Sequence, residues 1–551
     1  MRSRLRRLVD RSMGKLTGGR SSRQVRRTAY GSSGDLAPGL FVNPIAEGAD
    51  PDVVKDGERF LWCQAEGNVG ISIWTSARLT SLGTKHVVWR AAADGPCSKE
   101  VWAPELIRLD GRWHVYFAAS DGRNRNHRTF VLVADTDDPL GSYTLEGPLF
   151  TGDQPGGDNL WSIDFTVLEH DERRFGLWSG WPDADTDRQD LYIAEMSSPT
   201  DVKGGRVRIA EAGVHDWERI YESPKSRGLL EGPRVLQRDG RTFVLYSCAA
   251  SWLPTYKLGV LELTGDDPMS PSSWARWGRP VFASTDETYG VGHSSCVHFG
   301  QIGSADEEWW HVFHSKVDRR DGWRRALHVQ PMEWRHDGTP MLGEPLPPGQ
   351  ALTMPRAYRA QLRHAGGSWD FGVDGLDDFD YYGHHQYVAV GPEGLDLGVV
   401  PDTPVNHFRS GEKVVLRGGD FSDVEIEATW TFVSSTRSAG VLFRTTGAAV
   451  GYDAQRSYFA AIVPKEDTLV IGKTDGSTWT RMATTKMPVR VDRPQTLRVS
   501  AVGTHLVVTA GGSTIELDDS DHARGSVGLR TVNTHARFRS LTVSPLPTSA
   551  S

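Results

Sequence analysis

LEGPRV at residues 230–235 opens one of five similar units that follow one another between residues 49 and 334. The other four units open with ADPDVV at 49–54, WAPEL at 102–106, SIDFTV at 162–167 and VGHSSC at 291–296. After each opening comes a polar turn, then an apolar strand rich in aromatic residues, then another strand. A repeat of roughly 50–70 residues with three or four strands per unit is typical of a β-propeller. We therefore predict five blades.

Asp-Gly pairs mark the hairpins of this repeat. They stand at 56–57, 110–111 and 239–240, shortly before apolar runs such as RFLWC at 59–63 and RTFVLY at 241–246. Asp and Gly tolerate the positive φ angles that a two-residue hairpin turn requires. Because no long segment with a helical period competes with these strands, the predicted fold class is all-β.

The distribution of tryptophan marks a domain boundary. Sixteen of the nineteen tryptophans lie at or before Trp334, and a stretch rich in Pro and Gly follows at 343–349. From about residue 366, short alternating strands without blade openings indicate a β-sandwich. We thus predict a disordered basic tail over 1–38, a five-bladed propeller over 39–350 and a β-sandwich over 366–547.

Composition narrows the class of function for this chain of 551 residues. The net charge of -8 argues against a nucleic-acid partner, and no apolar run is long enough to predict a membrane span. The four cysteines lack the spacing of metal ligands and are interpreted as buried free thiols, which favours a reducing compartment. The basic N-terminus has no apolar core of a secretory signal, so we predict a cytoplasmic location, with secretion as the alternative. The oligomeric state stays open.

Four of the five openings carry a carboxylate, namely Asp50, Glu105, Asp164 and Glu231. The innermost strands of a propeller line one channel, so side chains far apart in sequence can meet there. Inverting hydrolysis of a glycosidic bond needs a carboxylic acid and a carboxylate roughly 6.5–9.5 Å apart. A neighbouring negative charge helps to keep the acid protonated. Asp50, Asp164 and Glu231 are therefore candidate catalytic residues, and Glu105 is interpreted as a supporting channel residue.

Each candidate also has an ordinary structural explanation. Asp50 before a proline and Glu231 before Gly-Pro are both turn signatures. Asp164 interrupts an apolar strand, where a buried charge is rare unless it is paired or functional. The shared position of the three residues in their units favours the joint catalytic interpretation.

Over residues 41–346 these motifs resemble glycoside hydrolase family 43, a family of inverting five-bladed propellers. The resemblance implies that Asp50 is the general base, Asp164 the modulator of the acid's pKa, and Glu231 the general acid. It also implies that His293 lies in the channel, often facing a calcium ion through water, and that Arg325 contacts the substrate and the carboxylate of Asp164. In the intact WAPEL motif, Trp102 is expected to form a wall for the terminal sugar.

Within that family the stretches 102–120, 191–202, 216–218 and 290–295 look most like exo-acting α-L-arabinofuranosidases. We therefore predict an inverting exo-glycoside hydrolase that releases terminal α-L-arabinofuranosyl units from poly- or oligosaccharides, with no cofactor required for the chemistry. A structural calcium ion at His293 is the one metal that the resemblance adds. The alternatives are a β-xylosidase, an endo-arabinanase, a non-catalytic sugar-binding propeller and a scaffold. Residues 527–531 and 536–538 resemble a carbohydrate-binding module of the concanavalin-like or family 66 type, and a purely structural sandwich that braces the propeller is the alternative.

Overall fold

The computed structural model of the chain describes residues 36, 39–358, 364–398, 411–434 and 437–547. The basic tail predicted over 1–38 lies outside these ranges, apart from residue 36. The described residues form five blades and a two-sheet sandwich, which confirms the all-β prediction. Their helical elements are short 3₁₀ turns at Asn124–Asn126, Asp216–Glu218, Ile220–Glu222, Pro271–Ser273, Arg356–Tyr358, His385–Tyr387 and Pro464–Glu466. No helix within these ranges is long and apolar enough to cross a membrane.

The propeller strands follow the chain blade by blade. Two short strands come first: β1 (Leu40–Val42) and β2 (Ala46–Glu47). Blade one contains β3 (Asp52–Asp56), β4 (Arg59–Ala65), β5 (Gly70–Ser76) and β6 (Thr84–Arg90). Blade two contains β7 (Lys99–Leu109), β8 (Arg112–Ser120), β9 (Arg128–Ala134) and β10 (Tyr143–Pro148). Blade three contains β11 (Ser162–His170), β12 (Arg173–Gly180), β13 (Asp190–Ser198) and β14 (Asp201–Ala210).

Blade four contains β15 (Leu230–Arg238), β16 (Arg241–Cys248), β17 (Lys257–Leu263) and β18 (Trp274–Arg276). Blade five contains β19 (Gly292–Phe299), β20 (Glu308–Lys316) and β21 (Arg325–Trp334), with β22 (Pro340–Met341) paired to β21. Its fourth strand is β2, which pairs with β21 through Ala46 and Leu327. The start of the chain therefore closes the ring of blades. Nearby, β1 pairs with β23 (Ala351–Thr353).

The first strand of every blade lies at the propeller axis, because β3, β7, β11, β15 and β19 contact one another in a ring. The last four of these strands are bulged at the same place, where two of their residues oppose one residue of the next strand. The first bulged residue has a positive φ in each case: Ala103, Asp164, Gly232 and His293. Asp50, with φ of 48°, occupies the equivalent position just before β3. Such bulges redirect side chains and are common beside active sites.

The sandwich consists of two antiparallel sheets. Its strands are β24 (Gly367–Asp370), β25 (Phe379–Tyr382), β26 (Val388–Gly391), β27 (Gly394–Gly398), β28 (Lys413–Leu416), β29 (Val424–Phe432), β30 (Ser438–Thr446), β31 (Arg456–Val463), β32 (Thr468–Asp475), β33 (Trp479–Lys486), β34 (Gln495–Val502), β35 (His505–Ala510), β36 (Ser513–Asp518), β37 (Ser526–Val532) and β38 (His535–Pro545). One sheet has the order β26-β27-β38-β29-β34-β35-β36, with β24 beside β38, and the other has the order β25-β28-β37-β30-β31-β32-β33.

The sandwich packs against blades one and five through one continuous apolar cluster. The rings of Trp74 and Tyr381 stack across this boundary with 6.4 Å between their centroids. Polar contacts flank them, since Nδ1 of His385 lies 3.1 Å from the carbonyl oxygen of Glu47, and Thr84 donates to Asp377 at 3.3 Å. The four cysteines are free thiols, as predicted.

Candidate active site

Asp50, Asp164 and Glu231 come together at one end of the propeller axis. The backbone N–H of Gly232 donates to Oδ2 of Asp164 at 2.8 Å and so joins blade four to blade three. The charges of Glu231 and Asp50 both act on Asp164. The three carboxylates therefore share one electrostatic environment, although they stand 67 or more positions apart in sequence.

Asp50 is held by three cationic or polar groups from blade five. Its Oδ1 lies 2.8 Å from Nη1 of Arg325, 3.3 Å from Nδ1 of His314 and 3.6 Å from Nδ1 of His293. The backbone N–H of Asp50 donates to Nδ1 of His314 at 3.1 Å, and burial lowers the pKa of that imidazole to about 3.

Asp50 stays ionised in this environment. Burial alone would raise its pKa, but the positive charge of Arg325, supported by the two histidines, brings it well below the usual range of an aspartate. Asp50 therefore presents a carboxylate that can accept a proton.

The partner of Arg325 differs from the prediction. Asp164 was expected to receive its guanidinium, but in the structure Arg325 binds Asp50. Arg325 begins β21 of blade five, and blade five adjoins blade one, where Asp50 lies. Asp164 belongs to blade three, which does not border blade five. The order of the blades around the ring therefore decides this contact.

Asp164 and Glu231 form a buried acidic pair. Burial, followed by the charges of Glu231 and Asp50, raises the pKa of Asp164 well above its ordinary value. Burial also raises the pKa of Glu231, while the hydrogen bond from Gln189 and the nearby hydroxyl group of Tyr256 oppose that rise. Gln189 donates from Nε2 to Oε2 of Glu231 at 3.1 Å.

Repulsion between two buried negative charges disfavours the state in which both carboxyls of this pair are ionised. The N–H of Gly232 stabilises the charged form of Asp164. Gln189 stabilises the charged form of Glu231 in the same way, so each carboxyl of the pair accepts one hydrogen bond from a neighbouring N–H group.

Blade five supplies the side of the site next to Glu231. The backbone N–H of His293 donates to Oγ of Ser247 at 2.8 Å, which ties β19 to β16. A Cβ on Gly292 would lie 2.3 Å from the ring of Tyr256, so the Gly-His motif leaves room for that ring.

Calcium was predicted at His293. In the part of the chain that the structure describes, no three His, Cys, Asp or Glu side chains are grouped in a way that could hold a metal. The carboxylate of Asp50 lies 3.6 Å from Nδ1 of His293 and is paired with Arg325. These residues do not fit an ion held directly by protein side chains, and calcium stays a prediction.

An aromatic wall borders the site on blades two and three. The rings of Trp161 and Trp181 stack at 4.9 Å and pack with Ile163, directly before Asp164. Trp102 is half-buried against this cluster and stacks on His127 at 3.9 Å. Trp102 therefore lies where a sugar wall was predicted, and its role towards the sugar stays a prediction.

A ring of polar side chains, here called the axial ring, surrounds the propeller axis two residues after the positive-φ position of each blade. It consists of one residue from every blade: Asp52, Glu105, Thr166, Arg234 and Ser295. Nη1 of Arg234 lies 2.8 Å from Oδ1 of Asp52 and 3.0 Å from Oε1 of Glu105.

The remaining two members complete this axial ring. Thr166 donates to Oε1 of Glu105 at 2.5 Å, and Nη2 of Arg234 donates to Oγ of Ser295 at 3.1 Å. Burial raises the pKa of Glu105 to about 7, although Arg234 opposes that rise. Glu105 thus belongs to the axial ring beneath the three candidate catalytic carboxylates.

Several residues of the site were not singled out from the sequence. His314 lies in the strand WWHVFH at 309–314, where histidines inside an apolar run were the one usable signal, and Tyr256 lies in the loop just before β17. Gln189 lies in the connection before β13 and carries no motif. Arg234 stands inside the motif LEGPRV, but its partners belong to other blades.

Two protein families match separate parts of this chain. Residues 41–340 match the family Glycosyl hydrolases family 43, and residues 383–544 match a 3-keto-alpha-glucoside-1,2-lyase-like domain. The α-L-arabinofuranosidase 43 of Humicola insolens is 31% identical over 325 residues, which cover 56% of this chain and 64% of that protein.

Two further proteins are similar to this chain. The extracellular exo-α-(1→5)-L-arabinofuranosidase of Streptomyces chartreusis is 30% identical over 285 residues, which cover 50% of this chain and 83% of that protein. The crystal structure of an α-L-arabinofuranosidase from Lactobacillus brevis is 30% identical, with a TM-score of 0.50, and covers 56% of this chain and 97% of that structure.

Proposed function

This chain belongs to glycosyl hydrolase family 43, and from that premise we propose that it is an inverting exo-hydrolase of terminal α-L-arabinofuranosyl units. The observation that carries the proposal is the opposite shift of two pKa values at one end of the axis. The pKa of Asp50 is lowered by Arg325, whereas that of Glu231 is raised by burial. Environments that separate the pKa values of two carboxyls in this way assign one as base and the other as acid.

In the proposed reaction, Glu231 gives its proton to the glycosidic oxygen as the bond to the anomeric carbon breaks. A water attacks that carbon from the opposite face and loses a proton to Asp50. The products are arabinose with an inverted anomeric centre and the shortened saccharide. Exchange with solvent then returns the proton to Glu231 and removes it from Asp50.

Asp164 is a positioning residue in this mechanism. Its negative charge, held by the N–H of Gly232, keeps the proton on Glu231 until the leaving oxygen accepts it. Arg325 holds the carboxylate of Asp50 in place and in its ionised form.

The choice of sugar rests on relatives. The proteins from Humicola insolens and Streptomyces chartreusis are named as arabinofuranosidases, and the chain spans 64% of the length of the first and 83% of the second. The C-terminal sandwich is proposed to bind carbohydrate, in keeping with its resemblance to a concanavalin-like module.

Hydrolysis of nitrophenyl α-L-arabinofuranoside, β-D-xyloside and galactoside, followed by NMR of the fresh product, tests the proposal. We expect the arabinofuranoside to be cleaved fastest and the first-formed sugar to be the β-anomer. Preference for the xyloside would identify a β-xylosidase, and internal cleavage of arabinan an endo-arabinanase. Release of the α-anomer first, or binding without cleavage, would overturn the mechanism.

A further inference from the structure

Two connecting loops of blades four and five form a rim at the catalytic end of the propeller. Residues 249–256 connect β16 to β17, and residues 317–324 connect β20 to β21. Glu231 pairs with Ser247 at the end of β16, and Gly292 pairs with His314 at the end of β20. Both loops therefore leave their strands on the side where Asp50 and Glu231 lie.

The two loops are joined by a pair of tryptophans, Trp252 and Trp323. Their ring centroids are 5.2 Å apart with 54° between the ring planes, and the N–H of Gly322 donates to the carbonyl oxygen of Trp252 at 2.9 Å. Trp252 packs on a buried cluster that includes Leu253. The guanidinium of Arg325 lies 5.8 Å from the centroid of the Trp323 ring. The same arginine thus touches both this aromatic ring and the proposed general base.

Trp323 is open to solvent although it is large and apolar. Its exposed fraction is 62%, and in the described ranges the one other large exposed aromatic residue is Tyr221, also at 62%. Tyr221 has a positive φ of 59°, a conformation that is unusual for a bulky residue. It follows Ile220, which packs in the same cluster as Trp252. Exposed aromatic surface concentrated beside an active site marks a binding surface.

We propose that Trp323, backed by Trp252, is the stacking surface for the sugar that leaves with the glycosidic oxygen. This inference rests on the proposed function, because Glu231, which protonates that oxygen, lies in blade four beside this rim. The second sugar ring places its apolar C–H face on the indole ring of Trp323, and such a face stacks on an aromatic ring as other apolar groups do. Continuity with Arg325 and Asp50 places the pair at the site rather than elsewhere on the surface.

The test compares two substrates that share the arabinofuranosyl unit. α-L-Arabinofuranosyl fluoride has no second ring, whereas an α-1,5-linked arabinodisaccharide has one. Trp323→Ala should lower kcat/KM for the disaccharide about tenfold and leave that for the fluoride unchanged. Trp323→Phe should retain most of the disaccharide activity. Trp89→Ala, which removes a partly buried tryptophan from the outer strand of blade one, is the matched control and should change neither value.

Equal effects of Trp323→Ala on both substrates, or no effect on either, would overturn the inference while the proposed function stands. If the wild-type protein cleaves neither substrate, the proposed function fails instead. Calorimetric binding of the disaccharide then decides the inference without turnover. We expect about tenfold weaker binding to Trp323→Ala than to the wild-type protein, and equal affinities would overturn it.

Discussion

Arg325 places Nη1 2.8 Å from Oδ1 of Asp50 and thereby joins the last blade of the propeller to the first at the site of the proposed chemistry. One contact therefore has two effects: it keeps the proposed base ionised, and it stabilises the closed ring. Glu231 contrasts with Asp50, because burial of Glu231 favours the protonated carboxylic acid.

Asp50→Asn should abolish most activity and also destabilise the protein. Loss of the base costs on the order of 10²–10⁴ in kcat, and a mostly buried Arg325 without its counter-charge costs roughly 3–5 kcal/mol of unfolding free energy. Because the folded-state pKa of Asp50 is lowered, its stabilising contribution exists above the ordinary pKa and is lost as the pH falls. Kinetics and denaturant unfolding at pH 7 measure both effects.

The matched control is Asp56→Asn, which breaks the more exposed pair with Arg59 at 3.0 Å. That change should cost less than about 1 kcal/mol and leave kcat unaltered. Equal destabilisation by the two substitutions would contradict the role given to Arg325.

Glu231→Gln should inactivate the enzyme and stabilise it. Burial raises the folded-state pKa of Glu231, so its favourable contribution exists below the ordinary pKa and is lost as the pH rises towards the folded value. The neutral amide removes the free-energy cost of ionising a buried carboxyl. We therefore expect a higher Tm than wild type at pH 8 but the same Tm at pH 4. Activity should fall most for substrates with poor leaving groups. A lower Tm at pH 8 would show that the carboxylate is well accommodated.

The pH profile of kcat/KM should be limited on the alkaline side. Activity needs a protonated Glu231, so it falls as the pH rises through the raised pKa of the Asp164–Glu231 pair. The low pKa of Asp50 places the acid limb well below that of an ordinary aspartate. Asp164→Asn removes a negative neighbour and should shift the alkaline limb to lower pH. An unshifted limb in this variant would mean that Asp164 does not tune the acid.

The axial ring should respond differently to two amide substitutions. Arg234→Gln leaves Asp52 and Glu105 buried without a counter-charge and should cost roughly 3–5 kcal/mol. Glu105→Gln should be close to neutral at pH 6, because the pKa of Glu105 is raised to about 7 and its protonated form resembles the amide. At pH 8 the same variant should be more stable than wild type. Urea unfolding at both pH values measures the difference, and a strong loss in Glu105→Gln at pH 6 would contradict it.

Ending the chain after residue 358 should destabilise the propeller. The sandwich covers apolar side chains of blades one and five, among them Trp74, which stacks on Tyr381. Exposed apolar surface of this kind favours aggregation. We expect a lower Tm and increased light scattering for the truncated protein. A Tm equal to that of the whole chain would mean that the two parts fold independently.

The blades could be predicted from the sequence because their signals are local. Asp-Gly at 110–111 and 239–240 adopts positive φ in the structure, as a tight hairpin turn requires. The openings around Asp50, Asp164 and Glu231 could be aligned for the same reason. Each is a short motif before a strand, and the repeat places all of them at one end of the axis.

Contacts between blades could not be predicted in the same way. The partner of Arg325 depends on β2 closing the ring, so that blade five meets blade one. The ion pair between Arg234 and Asp52 joins positions 182 residues apart. Neither strand carries a motif that predicts its partner, because the arrangement of whole blades determines which side chains meet across the axis.

The positive-φ position that recurs in all five inner strands has an evolutionary consequence. Equivalent backbone positions around the propeller axis are occupied by Asp50, Ala103, Asp164, Gly232 and His293. Exchanging the side chain at one of these positions can therefore change the chemical groups at the site while the path of the backbone is preserved. A carboxylate introduced at Ala103 would therefore add an acidic group at the same end of the axis as Asp50 and Asp164.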